Sequence, residues 1–194
     1  MNSEFDRLIQ QVNECRRRAE QLTAGLTPEQ VTRRPSPPKW SIAECLAHLN
    51  LTAAVVQPKI AWAIEQGKRE DITGTGPFSP GFMGRLLIWI AEPPPKFRMP
   101  APRKIAPGVG RSDSSQVMTY FMKVQDGWEK LIREGDGLDQ HKVKVASPFP
   151  GLPRLRLAAP IPWILAHQRR HLLQAEKVKR QIVTADPRVT AASV

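Results

Sequence analysis

The chain has 194 residues, 41% hydrophobic and 24% charged, the proportions of a single globular domain with a core of its own. Twenty-nine Lys and Arg against eighteen Asp and Glu give a formal charge of +11, which favours anionic partners. The basic residues are scattered in short groups, from Arg16 to Arg18, Arg33 and Arg34 to Arg169 and Arg170, with no interleaved stacking aromatics, so no nucleic-acid interface is expected.

The opening MNSEFDRLIQ has no basic region followed by an apolar run, and Cys15 and Cys45 lack CxxC spacing. Both features indicate a reducing, cytoplasmic setting. The longest apolar run, Met83 to Ala91, is too short to span a bilayer and is interrupted by Arg85, so no membrane span is expected.

Asn2 or Ser3 can cap a first helix reaching about Ala24. Its Phe5, Leu8, Ile9, Val12, Cys15, Ala19 and Leu22 recur with a period of about 3.6, and Gly25 ends it. Thr27 to Gln30 carry the signals of one short helical turn, stopped by Pro35, Pro37 and Pro38. Ser41 and Glu44 then form a capping box, and Trp40 stands where it would staple onto Cys45. The second helix starts there and runs through Leu46, Leu49, Val56, Ile60 and Ile64 to Gly67. Pro58 in its interior removes a backbone hydrogen bond and is expected to kink it.

From Lys68 to Gly110 the pattern breaks. A short apolar helix is expected near Phe82 to Ala91, followed by a crossover with six prolines between Pro93 and Pro107. The run Leu86 to Ile90 would suit a pocket lid or a dimer contact. Ser112 or Ser114 can cap a third helix carrying Val117, Met118, Phe121, Val124, Trp128, Leu131 and Ile132 up to Gly135. Lys142 to Val145 alternate but are short and closed in by prolines, which predicts a loop rather than a strand. Pro160 and Pro162 open the last helix, which continues to Ile182. A bundle domain over 1–183 and a short polar tail over 184–194 follow, in an all-α fold of four amphipathic helices.

On the last helix His167 and His171 fall on the same stripe as Ile164, Ala175, Val178 and Ile182. Residues four apart on a helix are neighbours, and two imidazoles so placed can reach one ion. On the pair alone, two structural histidines on a basic helix is the more economical reading. His48 lies on the second helix at the border of its buried stripe, with Cys45, Thr52 and Val55.

Trp40-Ser41-Ile42-Ala43-Glu44-Cys45-Leu46-Ala47-His48-Leu49 resembles the W-S-x-x-E-x-x-x-H-L opening of the second helix in the DinB/YfiT-like superfamily. His167-Gln168-Arg169-Arg170-His171-Leu172-Leu173-Gln174 resembles its final-helix H-x-x-x-H-L-x-Q pattern. The resemblance implies a four-helix bundle of up-down-down-up topology, with one divalent ion, zinc or nickel, held by His48, His167 and His171. It also implies frequent dimerisation. Members of the superfamily include S-transferases and isomerases that use low-molecular-weight thiols such as bacillithiol or mycothiol, and others have no known activity. The long proline-rich insert between the second and third helices departs from the family pattern.

The third histidine turns the balance toward a metal site, since three neutral imidazoles leave coordination positions open for water or substrate. His141, in a loop among Gln140, Lys142 and Lys144, matches no motif and is not expected to be a ligand. Glu44, one turn before His48, would either orient that ring or serve only as a cap. Cys45 is read as a small buried residue rather than a ligand or reactive thiol. Gln168 stands where a zinc protease of H-E-x-x-H type carries its general base, which argues against a protease. A metal-dependent thiol S-transferase acting on small electrophiles is therefore ranked above a hydrolase. A non-catalytic metal-binding or stress-related protein is the alternative.

Overall fold

A computed structural model describes residues 3–96, 101–108, 113–149 and 151–184. Its elements are α1 (Ser3–Thr23), α2 (Pro28–Thr32), α3 (Ile42–Arg69), α4 (Gly81–Ala91), a 3-10 turn (Arg103–Ile105), α5 (Ser114–Glu134), β1 (Lys144–Val145), β2 (Leu155–Arg156) and α6 (Pro160–Thr184). The polar tail expected from 184 onward lies outside the described residues, apart from Thr184, which is the last residue of α6.

The helix starts follow local chemistry. Thr27 with Gln30 and Ser41 with Glu44 each close a reciprocal capping box, satisfying amide donors that the first turn leaves unpaired. Gly25 ends α1 at φ +74, a left-handed backbone that glycine adopts without strain. One start signal is corrected. The cap of α5 is Asp113, whose carboxylate accepts from the amides of Ser115 and Gln116; Ser114 is already helical, and Ser112 lies outside the described residues. Trp40 lays its indole against the rings of His48 and His171. Helix α3 runs past Pro58 and Gly67 to Arg69 as one helix.

The four long helices form an up-down-down-up bundle. Each of α1 and α3 packs on both α5 and α6, so the first two long helices occupy opposite corners. The connector that makes this crossing contains α2, which packs on α3 and α5. Helix direction is fixed by cross-helix bonds. Asn50 donates to the Val117 carbonyl and Gln57 to the Val124 carbonyl, which makes α3 and α5 parallel. Arg169 reaches Gln11, Arg18 reaches Glu176 and Lys179 reaches the Ala24 carbonyl, which makes α1 and α6 parallel. Phe5 from the start of α1 and Ile161 from the start of α6 line one small cavity with Ile64 and Leu131 from the ends of α3 and α5, so the two pairs run in opposite directions. The core between them includes Trp128, Phe121, Ile42, Leu46, Leu165 and Leu172, all buried.

The segment Lys142 to Val145, expected to be a loop, contains a strand. Lys144 and Val145 pair antiparallel with Arg156 and Leu155. Val143, Val145, Leu155 and Leu157 are buried, so the alternation of the sequence is that of a hairpin with one face on the core. Its partner lies ten residues on, across Pro148, Pro150 and Pro153, which hides the pairing from a local reading. Helix α4 turns only one side to solvent: Phe82, Leu86 and Trp89 are exposed, while Leu87 and Ala91 are buried. A Cβ on Gly84 would stand 2.6 Å from the Ala159 Cβ, so glycine there lets α4 lie close against the start of α6.

Candidate metal centre

His48 is carried by the second turn of α3, and His167 and His171 by two successive turns of α6. Packing of α3 on α6 brings the three rings together. One ligand nitrogen from each lies within 4.8 Å of the others, and the ring centroids are 4.5, 4.6 and 5.1 Å apart. His48 and His171 are buried, at 3% and 8% exposure, and His167 is partly exposed.

The protonation pattern of His48 follows from its partner. Its Nδ1 is 2.7 Å from the carbonyl oxygen of Ile105. A carbonyl only accepts, so Nδ1 carries the proton and the neutral ring has a bare lone pair on Nε2. That Nε2 is 3.3 Å from Nε2 of His167. A tetrahedral ion with nitrogens at about 2.0 to 2.1 Å separates its ligands by about 3.3 to 3.4 Å, so this spacing suits a shared ion. Nδ1 of His167 and Nδ1 of His171 are buried without a hydrogen-bond partner, in a chain whose other buried ring nitrogen at the cluster is satisfied.

All three imidazoles are held neutral. Burial lowers the pKa of His48, and the Ile105 carbonyl opposes it. Burial pushes His167 well below its ordinary value, aided by His171, His48 and the Arg170 guanidinium. Burial takes His171 down to about 3, with His48 and Arg170 adding to the shift. Neutral imidazoles are the ligating form, and a set of three could hold one metal ion. Indole faces wall the cluster. Trp40 stacks on His171 at 5.8 Å and Trp163 on His167 at 5.9 Å, both at 25°, and Phe149 meets Trp163 edge-on.

Other residues singled out from the sequence lie elsewhere. His141 accepts from the Ser79 amide and meets Phe78 edge-on, so it pins a loop. Of the two roles open to Glu44, the structure selects the cap. Its carboxylate accepts from the Ser41 amide and takes a two-pronged bond from Arg34 at 2.5 and 2.8 Å. Burial raises its pKa, but the bonds from Arg34 and Ser41 outweigh that and hold it below the usual range. Cys45 is fully buried, and burial pushes its thiol far up, which leaves it inert. Gln168 is 2% exposed, on the core side of α6.

Sequence reasoning missed Ile105, Trp163 and Arg34. Ile105 contributes a backbone carbonyl, for which no side-chain signal exists. Trp163 reads as one more apolar residue of a helix start.

These features define an all-α bundle protein with a three-histidine cluster between its second and last long helices. A family model described as the DinB superfamily matches residues 11–175, a span containing all three histidines, and the chain belongs to that superfamily. No curated protein and no solved structure gives a significant match.

Proposed function

We propose that the chain is a metal-dependent enzyme in which His48, His167 and His171 hold one zinc or nickel ion, and that it transfers a low-molecular-weight thiol to a small electrophile. The observation that supports this most is the donor set: three neutral imidazoles converge with no free carboxylate beside them among the described residues. When bound there, a divalent ion supplies a Lewis acid that lowers the pKa of a thiol or water, its charge uncompensated by neutral ligands. The residues themselves position and exclude. The histidines present their lone pairs inward, and Trp40 and Trp163 keep water off two of the rings.

Thiol transfer ranks above hydrolysis for want of a base. Gln168 cannot take a proton and faces the core, and the carboxylate of Glu44 is engaged by Arg34 and Ser41. A thiol has a pKa of about 8.5 and needs little further help to ionise. In the reaction its sulfur bonds to the electrophilic carbon, the leaving group departs with the electron pair, and the thiol proton passes to solvent. The cytoplasm, which keeps such thiols reduced, is the compartment that suits this chemistry; among the described residues no helix is long and apolar enough to cross a membrane. The test is conjugate formation by metal-loaded protein across a panel of thiols with a model electrophile. Wild type is expected to exceed the uncatalysed rate at least tenfold with one thiol, and His48→Ala to match it. Background rates throughout, with occupancy confirmed, would favour a non-catalytic metal-binding protein.

The exposed stripe Phe82, Leu86 and Trp89 on α4, 76, 36 and 53% accessible, supports self-association into a homodimer. Light scattering at tens of micromolar is expected to give twice the chain mass for wild type and a monomer for Phe82→Glu with Trp89→Glu. A wild-type monomer refutes the dimer.

A further inference from the structure

The bond from His48 to Ile105 joins the candidate metal centre to the proline-rich crossover, the part of the chain that departs most from the family pattern. We propose that the 3-10 turn Arg103–Ile105 is a positioning element of that centre: by accepting from His48 Nδ1, the Ile105 carbonyl fixes the tautomer and orientation in which His48 presents Nε2 to the ion. The inference rests on the metal reading above.

A neutral imidazole has two tautomers, and rotation of the ring about its last side-chain bond has two broad minima. Only one of the resulting arrangements serves a ligand. With Nδ1 protonated and facing Ile105, Nε2 is bare and stands 3.3 Å from His167 Nε2. The other tautomer places a proton on the ion-facing nitrogen. A flipped ring directs a carbon at the ion and loses the 2.7 Å bond. The remaining neighbours of His48 do not make this choice. Trp40 offers a tilted ring face at 5.1 Å, and Glu44, the nearest carboxylate on the same helix, is held by Arg34 and the Ser41 amide.

The turn is built to hold its carbonyl still. The Ile105 amide donates to the Pro102 carbonyl at 3.0 Å, the turn packs on α3, and Pro107 just beyond it is buried while Arg103 and Lys104 are exposed. Outer partners of metal-bound histidines typically change affinity by about 10- to 100-fold when removed.

Ala106→Pro separates this role from simple folding. Ala106 has φ −74 and ψ 129, which proline adopts, but the residue before a proline is driven out of helical backbone, so Ile105 must leave the turn and carry its carbonyl away. A second variant replaces Ala106 by its α-hydroxy acid, turning the Ile105 carbonyl into a weaker-accepting ester while keeping every side chain. Two readouts are used: the nitrogen chemical shifts of His48 in metal-free protein, and zinc affinity by competition with a chromophoric chelator. Wild type is expected to show the Nδ1-protonated tautomer. Ala106→Pro is expected to show mixed tautomers and zinc affinity 10- to 100-fold weaker, the ester a smaller loss in the same direction, and Lys104→Ala no change. Zinc bound equally by wild type and both variants, or an Nε2-protonated His48 in wild type, overturns the positioning role and leaves the metal site standing. Failure of wild type to bind zinc at all overturns the metal reading and this inference with it.

Discussion

Replacing any one of His48, His167 or His171 by alanine is expected to weaken zinc binding by about 10²- to 10³-fold, with His141→Ala without effect. Structural zinc sites with four ligands contribute about 10 to 16 kcal/mol, or about 3 to 4 kcal/mol per ligand, and each 1.4 kcal/mol is about tenfold in affinity. The fold is expected to survive. His171→Ala removes an imidazole whose Nδ1 is buried without a hydrogen-bond partner, so the metal-free variant loses packing and the ring's contact with Gln174. His141 lies outside the cluster, tied to Ser79 and Phe78, and so controls for the loss of an imidazole as such. Competition with a chelator and elemental analysis give the result. Full zinc stoichiometry at undiminished affinity in His171→Ala would refute the site.

Where the physics is local, most of the sequence is read correctly. The stripe on α1, the short turn after Thr27, the Ser41–Glu44 capping box and the start of α6 depend on residues within one or two turns of each other, and all stand where the spacing places them. The α5 cap is a local choice between neighbours, Asp113 over Ser112 and Ser114; the misread strand and helix face share a different origin. β1 needs β2, ten residues away across three prolines, and neither strand declares itself alone. Leu87 and Leu86 are adjacent and equally apolar, yet only a knowledge of where α6 passes says that the first is covered and the second is not.

The site divides the same way. His167 and His171 are visible as an i, i+4 pair on an apolar stripe. His48 is 119 residues away from His167, and it joined them in the sequence only through the resemblance to a family. Its outer partner was invisible to both approaches, because Ile105 acts through a backbone oxygen delivered by a segment that prolines keep from regular structure. Glu44 shows the converse. It is the right residue type one turn from His48, and it serves the helix start instead, because Arg34 and the Ser41 amide claim its carboxylate.

Metal-free protein is expected to lose stability as the pH falls from 6.5 to 5. An imidazole whose pKa is lower in the folded chain than in the unfolded one takes up its proton first in the unfolded chain. Its stabilising contribution is therefore complete above the unfolded value of about 6.5 and declines as the pH drops through it toward the folded value. Burial holds His171 at about 3, so at pH 5 this one group removes about 2 kcal/mol. His167, driven well below 6.5 by burial, acts in the same direction, and His48 does so as well. Glu44 has the same sign and a different window. Its pKa is lowered from 4.5, so its contribution persists until the pH falls below that value. Urea denaturation of chelator-treated protein at pH 7, 6 and 5 reads the effect, with midpoints expected to fall at each step and His171→Gln expected to fall less. Equal midpoints at all three values would show that the three rings are not neutral and buried together as the bundle places them.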